Sequence, residues 1–598
     1  EPAESATESV IEADITATAA DGSVFSIDRF RLAYLREALG QPSLEELMQV
    51  PVTLSPADTG WIAPRPGLPA VTLTIADLSD RGAENYHASG LQRVLEALRD
   101  DLVARDLLAI YVVQDPAQIT PTGTDMRTDG GDLTIIITTG TVGEIRTVAQ
   151  GERSGDRGDI AEADRVNGPQ HEGIRRRSPV GPTDPPSTIS RRAVDDYVYH
   201  LGRHPGRRVD VALAPSLEPG EVSLDYLITE NRPLVLYAST SNTGTQSTDY
   251  WRERFGLLHT QLTGNDDVLS AEYTTAQFDT VHAFSISYER PLTDDGRIRG
   301  RAYGTFSRYD AEDIGIFAQD FTGENLALGL EVAWNFFQRR ELFVDLVGGI
   351  RYDDISVKQT VFSSVTEDTA EFIVPYLGVR VERVTDWHAL RAGAFLEWQP
   401  DLLDNAATDL DGLGRTSPDD SWAILRLSGQ QSVYLEPLFN RAAWEDPSTP
   451  ESSTLAHELR VSLGAQYAFD NRLIPQSQAV VGGMMSVRGY PQSLLAGDSS
   501  IVGSLEYRFH LPRSFGVEAA PGELFGEPFR YAPQYVYGTP DWDLILKGFL
   551  DVGTTDISDP LSFESSDTLV GAGVGVELLY RRNLNVRLDW GFALEELE

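Results

Sequence analysis

The chain changes its pattern of hydrophobic and polar residues near residue 232. Before that point, apolar residues recur at helical spacing in "GLQRVLEALRDDLVARDL" (90–107) and "SRRAVDDYVYHL" (190–201), and shorter apolar segments flank both. After Pro233 the helical period disappears, and apolar and polar residues alternate in successive segments of about 10 to 18 residues. The pattern predicts an α+β part followed by an all-β part.

The α+β part predicts two small units of similar layout. Strands at 71–78 ("VTLTIADL"), 108–115 and 132–148 surround the first helix, and strands "GRRVDVALAP" and "GEVSLDYLITEN" follow the second. A polar, charged linker at 151–172 separates the units. We therefore place the first domain at 71–150 and the second at 165–232. Residues 1–70 form an N-terminal extension, in which "SIDRFRLAYLREALG" (26–40) predicts a helix.

The alternation after residue 232 predicts strands with one apolar and one polar face. In "NLNVRLDWGFAL" the even positions from Leu584 to Leu594 are apolar, and Arg587 and Asp589 fall on the other face. A water-soluble sandwich rarely sustains about fifteen such strands, so we favour a transmembrane β-barrel over residues 233–598. Bacterial barrels usually have even strand numbers, so either one strand is miscounted or the final strand is missing after "FALEELE".

Composition and charge exclude several classes of function. The 598 residues carry a net charge of -42, which argues against binding nucleic acid through bulk charge. There is no cysteine, hence no disulfide framework and no thiolate site. No stretch reaches the roughly 18 to 20 apolar residues of a membrane-spanning helix. The opening "EPAESATESV" has no basic or apolar leader region, so a signal peptide either has been removed or never existed.

The stretch "VVGGMMSVRGYPQS" (480–493) places Arg488 in a glycine-rich loop between two strands. Residue parity sends Asp551 of "DLILKGFLDVG" and Glu506 of "SIVGSLEYRFHL" to the face opposite the apolar one, which is the barrel lumen. If the loop folds back into the barrel, Arg488 can form a charge-assisted pair with Asp551 or Glu506. On spacing alone, an ordinary loop arginine remains the alternative.

Three motifs carry a family resemblance: Val487-Arg488-Gly489-Tyr490, then "GSLEYRF" (503–509), then "GFLDVG" (548–553). In order and spacing they resemble two-partner secretion transporters, the ShlB/FhaC/HecB or hemolysin secretion/activation family of type V secretion. The segment 201–234 is similar to the second POTRA module of that family.

The resemblance implies α+β periplasmic POTRA domains, then an antiparallel barrel of about 16 strands in the outer membrane of a Gram-negative-type bacterium. It also implies a long sixth extracellular loop, around 472–498, that enters the pore and pairs Arg488 with Asp551. A removed signal peptide and an exported polypeptide partner follow from the same resemblance. The predicted helix at 26–40 would either plug the barrel, as such a helix can in this family, or pack on the first domain.

The sequence offers no catalytic constellation, so we expect no enzyme activity, cofactor, metal or nucleotide. "GAGVG" (571–575) lies in a predicted strand, where its glycines would leave room for the folded-in loop. The expected partners are a secreted polypeptide and outer-membrane lipid. An unfolded chain would pair with a POTRA strand edge and cross through the polar lumen. The alternative function is outer-membrane barrel assembly and insertion; a plain porin or adhesin would have no reason for these features.

Overall fold

The structure is a computed structural model, and it describes residues 23–128, 131–154, 165–216, 218–314, 319–361, 364–400, 402–403, 410–441, 455–535, 538–581 and 583–596. The predictions for residues 1–22, and part of the predicted linker, lie outside this range. Two compact units divide the chain, one mainly before residue 232 and one mainly after it. The change of hydrophobic pattern therefore coincides with the change of unit.

The first unit contains two α+β modules, as the helical and strand patterns predict. Its elements are β1 (Val24–Ile27), β2 (Phe30–Tyr34), α1 (Leu44–Met48), β3 (Pro51–Ala57), β4 (Gly60–Ile62), β5 (Val71–Thr74), α2 (Ile75–Asp80), β6 (Glu84–His87), α3 (Ala88–Ala104), β7 (Ile110–Gln114), β8 (Leu133–Thr139), β9 (Thr141–Gln150), α4 (Glu172–Arg177), α5 (Arg191–Gly202), β10 (Arg207–Pro215) and β11 (Glu221–Glu230). Helix α3 buries Leu91, Val94 and Leu98 in the core of the first module, because residues three and four apart share one helix face.

The prediction of a helix at 26–40 is wrong. These residues form β1 and β2, and β2 pairs in parallel with β8. Alternation within "FRLAY" buries Phe30 against the sheet and packs Leu32 beside the same core, so β2 belongs to the first module. The predicted strand at 71–78 also changes to a helix after residue 74. Thr74 and Asp77 form a reciprocal capping box that starts α2.

Strand pairing draws the module boundaries differently from the predicted 71–150 and 165–232. β2, β8 and β7 form one sheet, and β1, β6, β4, β3 and β5 form a second sheet of the same module, so this module begins near residue 24. β9 joins β10 and β11 in the second module. A register of parallel pairs from Glu221 with Thr141 to Thr229 with Gln150 fixes β9 there.

The second unit is an antiparallel β-barrel in which each wall strand pairs with the next wall strand along the chain. Its wall strands are β12 (Leu234–Ser241), β13 (Arg252–His259), β14 (Val268–Ala276), β15 (Val281–Pro291), β16 (Ile298–Ile314), β17 (Gln319–Arg339), β18 (Leu342–Val361), β19 (Ser364–Val384), β20 (His388–Gln399), β21 (Trp422–Tyr434), β22 (His457–Tyr467), β25 (Ser499–His510), β28 (Trp542–Asp556), β29 (Thr568–Tyr580) and β30 (Leu584–Ala593). The described residues thus contribute fifteen wall strands, one fewer than the family resemblance implies.

Short elements lie in the connections between wall strands. They are helix α6 (Glu436–Phe439) and strands β23 (Ala479–Val481), β24 (Leu495–Gly497), β26 (Gly522–Leu524) and β27 (Glu527–Phe529). We call the barrel end where β12 begins the proximal end and the opposite end the distal end. Residues 468–498, between β22 and β25, form loop 6 at the distal end and contain β23 paired with β24.

The wall has the inverted polarity that the alternation predicts. Even residues of β30, including Leu588, Trp590 and Phe592, are more than half exposed on the outside. Charged side chains such as Asp551 and Lys547 are buried on the inside. Water favours the opposite arrangement, whereas hydrocarbon around the barrel favours this one. Within the described residues, no helix is long and apolar enough to cross a membrane.

Candidate functional site

Loop 6 reaches into the barrel and places Arg488 among lumenal carboxylates. The Arg488 guanidinium donates from Nε to Asp551 Oδ2 at 2.7 Å and from Nη2 to Asp551 Oδ1 at 2.8 Å, which is a bidentate pair. Nη1 donates to Glu506 Oε2 at 2.7 Å. The structure therefore brings together Arg488, Asp551 and Glu506, which are 18 to 63 residues apart in the chain.

Further contacts complete the surroundings of Arg488. Nη1 also lies 3.1 Å from Asp589 of β30, and the guanidinium carbon lies 3.4 Å from the ring centroid of Phe549. Asp551 also accepts hydrogen bonds from the Arg488 backbone N–H and the Ser504 hydroxyl. A planar guanidinium suits this place because it donates in several directions and stacks on a ring at the same time.

The residues beside Arg488 hold the loop backbone against the wall. Val487 is fully buried with Val481 and Leu569. The Tyr490 hydroxyl lies 2.7 Å from the carbonyl oxygen of Glu595 and 3.1 Å from that of Val570. Through these contacts, the side chains of Val487, Arg488 and Tyr490 each have a partner in the wall.

Glycines permit the close approach of loop and wall. A Cβ on Gly571 of β29 would lie 2.0 Å from the Arg488 carbonyl oxygen, which is far inside van der Waals contact. Gly489 has φ +104°, a backbone conformation that residues other than glycine rarely adopt. The prediction that the glycines of "GAGVG" leave room for the loop is confirmed at Gly571.

An ion-pair network continues from this site along the lumen toward the proximal end. Arg508 bridges Glu506, Glu458 and Glu577 at 2.9 to 3.0 Å. Lys547 lies 2.7 Å from Asp589. The parity that puts Asp551, Glu506 and Asp589 on the lumenal face also applies to Arg508 and Lys547. It offers no means of pairing them, because all of these partners except Glu506 lie on other strands than the cation.

A second cluster lies at the distal end, and no sequence pattern indicates it. Arg415, between β20 and β21, pairs with Asp498 of loop 6 at 2.5 Å and with Glu564, between β28 and β29, at 3.3 Å. Arg472 of loop 6 pairs with Glu564 at 2.8 Å. We call these four residues the distal clamp. No local pattern could reveal it, since Arg415 and Glu564 are 149 residues apart.

An apolar cluster of residues from two loops and the inner wall lies near the distal clamp. Leu410 and Leu413 pack with Leu473 and Ile474 of loop 6 against inward-facing wall residues that include Phe372 and Trp422. All are buried, so the two loops share one small core at the distal end. In the described part of the chain, no group of three or more His, Cys, Asp or Glu side chains could hold a metal ion.

These features define a class of fold: POTRA modules followed by a transmembrane β-barrel whose sixth loop enters the lumen. The sequence matches no protein-family profile and no curated protein. CdiB from Escherichia coli has a similar structure, with a TM-score of 0.59 and 15% identity over 97% of this chain and 88% of that chain. CdiB from Acinetobacter baumannii gives a TM-score of 0.52 and 13% identity over 96% and 87%. The chain therefore has the fold of CdiB, and the resemblance to two-partner secretion transporters is confirmed for the fold.

Proposed function

We propose that the chain is an outer-membrane transporter that exports an unfolded polypeptide partner from the periplasm to the cell surface. The observation that carries this proposal is loop 6, held in the lumen by Arg488 among Asp551, Glu506 and Asp589. The fold shared with CdiB supports the same function, as does the resemblance of residues 487–490, 503–509 and 548–553 to two-partner secretion transporters. On this proposal the proximal end faces the periplasm and the distal end faces the medium.

The POTRA modules are suited to capture an extended chain. In the second module, the sheet order is β10, β11, β9, so β10 is an outer strand of the described sheet. Unpaired backbone N–H and C=O groups of an outer strand can hydrogen-bond an unfolded segment by β-augmentation. Main-chain pairing depends little on the side chains of the bound segment, which fits a cargo that crosses as an unfolded polypeptide.

The lumen offers a polar route once loop 6 moves. Its charged side chains, among them Arg508, Glu577 and Lys547, can hydrogen-bond the passing backbone. Because a periplasmic process has no ATP to draw on, folding of the exported chain outside supplies the direction of transport. Arg488 then acts as a latch that holds loop 6 in one conformation, and it takes no part in catalysis.

The test takes as candidate cargo a large secreted protein encoded next to the gene for this chain and assays its secretion in medium and periplasm. We expect Arg488→Ala to lower secretion while the barrel still migrates as a heat-modifiable folded species. Arg391→Ala is the matched control, because Arg391 is 63% exposed and pairs with Glu382. A deletion of 172–232 should abolish capture.

Two results would contradict the proposal. Normal secretion by Arg488→Ala and by the deletion would exclude the latch and the capture role. If secretion stayed normal while other outer-membrane proteins were depleted, the barrel assembly and insertion function would replace export.

A further inference from the structure

A hairpin at the proximal rim lies on the outside of the barrel. Strands β26 and β27 belong to the connection 511–541 between β25 and β28. Phe529 of β27 stacks on Tyr580 of β29, with ring centroids 5.6 Å apart and planes inclined by 16°. Tyr580 pairs in register with Trp542, and both follow the even, outward-facing positions of their strands. The hairpin therefore packs against the face that alternation assigns to lipid.

Several contacts fix the hairpin in this place. Phe529 is 2% exposed and makes an edge contact with Tyr531 at 4.7 Å. The Arg581 guanidinium donates to the Pro528 carbonyl oxygen at 3.2 Å, and the Trp542 indole donates to the Tyr531 carbonyl oxygen at 3.0 Å. The hairpin is therefore anchored to the wall.

The tip of this hairpin presents an aromatic ring to the surroundings. Leu524 pairs with Glu527, so Phe525 and Gly526 form a two-residue turn with φ values of +54° and +82°. Such a turn favours Asn-Gly, and an aromatic residue at positive φ is uncommon. The chain nevertheless places Phe525 there, where the residue is 94% exposed.

Charged side chains of both signs lie near the tip. Glu523 and Glu527 are exposed next to the turn, and Arg581 lies beside Phe529. Aromatic rings at the acyl boundary with charged groups at headgroup level are the arrangement of interfacial protein segments. Exposed Tyr535 lies in the same connection.

We propose that the hairpin β26–β27 is a membrane-interface anchor that inserts Phe525 into the headgroup and acyl boundary at the proximal side of the bilayer. The proposal rests on the membrane location given under the proposed function. It commits to lipid as the partner because the hairpin is continuous with the apolar outer face through Phe529 and Tyr580.

The chain has no cysteine, so single cysteines can report on depth in the full-length protein. The reporter is Glu527→Cys, carrying an environment-sensitive dye next to an intact Phe525. Leu550→Cys on the outer face of β28 is the membrane control. Phe563→Cys, 80% exposed at the distal end, is the control for an exposed ring position outside the hairpin. Each protein is reconstituted in vesicles of phosphatidylethanolamine and phosphatidylglycerol that contain nitroxide lipids labelled either near the glycerol or near the acyl end.

We expect the glycerol-level nitroxide to quench the Glu527→Cys dye more than the Phe563→Cys dye. Adding Phe525→Ser should reduce that quenching about twofold, because the apolar ring that holds the tip at the interface is gone. The Leu550→Cys dye should be quenched by the acyl-end nitroxide in both backgrounds.

The opposing outcomes are distinct. If Leu550→Cys is quenched but Glu527→Cys behaves like Phe563→Cys, or if Phe525→Ser changes nothing, the anchor is excluded while the membrane barrel stands. A Glu527→Cys dye that is shielded from water yet unquenched by either lipid would indicate a protein partner and overturn the proposal. An unquenched Leu550→Cys would instead refute the membrane location, and the anchor with it.

Discussion

At the scale of single residues, Arg488 and Asp551 form a buried bidentate ion pair in which each side chain also has further hydrogen-bond partners. The Asp551 carboxylate is fully buried and accepts from the Arg488 guanidinium, the Arg488 backbone N–H and the Ser504 hydroxyl. Removing one partner of a buried, hydrogen-bonded ion pair costs about 3–5 kcal/mol, because the remaining charge is left uncompensated. Exposed pairs such as Arg391 with Glu382 contribute much less. Loop 6 therefore depends on this pair more than on any exposed one.

Gly571→Ala tests whether loop 6 needs the close contact at residue 571. The added methyl would lie 2.0 Å from the Arg488 carbonyl oxygen, so either loop or wall must shift, at a cost of about 1–3 kcal/mol. We expect a higher conductance and more frequent channel openings of this variant in planar bilayers. Gly464→Ala is the control, since a Cβ at that position meets no atom within 4 Å. Equal conductance of the two variants would mean that loop 6 tolerates the displacement.

At the scale of elements, loop 6 is fastened at two places. The Arg488 site fastens its middle, and the distal clamp fastens both of its ends, through Arg472 near the start and Asp498 at the end. Glu564 joins the clamp from the connection between β28 and β29. Release of the Arg488 site alone would therefore leave loop 6 held at the distal end.

Glu564→Gln tests the distal clamp. Hydrogen bonds from Arg472 lower the pKa of Glu564 to about 2, although partial burial opposes this. The carboxylate therefore stabilises the clamp fully above its ordinary pKa of 4.5, and this contribution is lost as the pH falls toward 2. We expect the variant to show about tenfold faster protease cleavage of loop 6 from outside at neutral pH.

The wild type should approach the variant's cleavage rate, measured with an acid-active protease, as the pH falls from 4.5 toward 2. Glu341→Gln is the matched control: its side chain is also 15% exposed and pairs with Arg383 at 2.9 Å, but it lies at the proximal end. If Glu564→Gln and Glu341→Gln were cleaved at the same rate, the clamp would not hold loop 6.

At the scale of the whole molecule, the two units follow opposite rules of burial. The POTRA modules bury apolar residues such as Leu98 and Ile135 in their cores, as soluble domains do. The barrel buries charged residues and exposes apolar ones such as Leu330 and Phe592. One chain thus contains a sequence pattern suited to water and another suited to lipid, and the pattern changes near residue 232.

Neighbouring residues on β16 test which face meets lipid. Phe306 lies outward and Thr305 lies inward, because successive residues of a strand point to opposite faces. We expect Phe306→Arg to destabilise the reconstituted barrel by about 2–4 kcal/mol, since it places a charge near the bilayer midplane. Thr305→Arg should have a small effect on the urea unfolding midpoint. Equal effects of the two substitutions would exclude a lipid-facing outer surface.

Features that depend on near neighbours in the chain were readable from the sequence. Alternation with a period of two is local, so it assigned Asp551 and Glu506 to the lumen before any fold was known. Helices α3 and α5 followed from helical spacing in the same way. Fifteen alternating segments were enough to favour a barrel over a soluble sandwich.

Features that depend on distant partners required the folded chain. Residues 30–34 are a strand because β8 lies beside them, and β9 belongs to the second module because β11 pairs with it. Asp589 reaches Arg488 across 101 residues, and Glu564 reaches Arg415 across 149. Such contacts arise from the pairing of strands that are distant in the chain and from the folding of loops between them, which short-range periodicity does not encode.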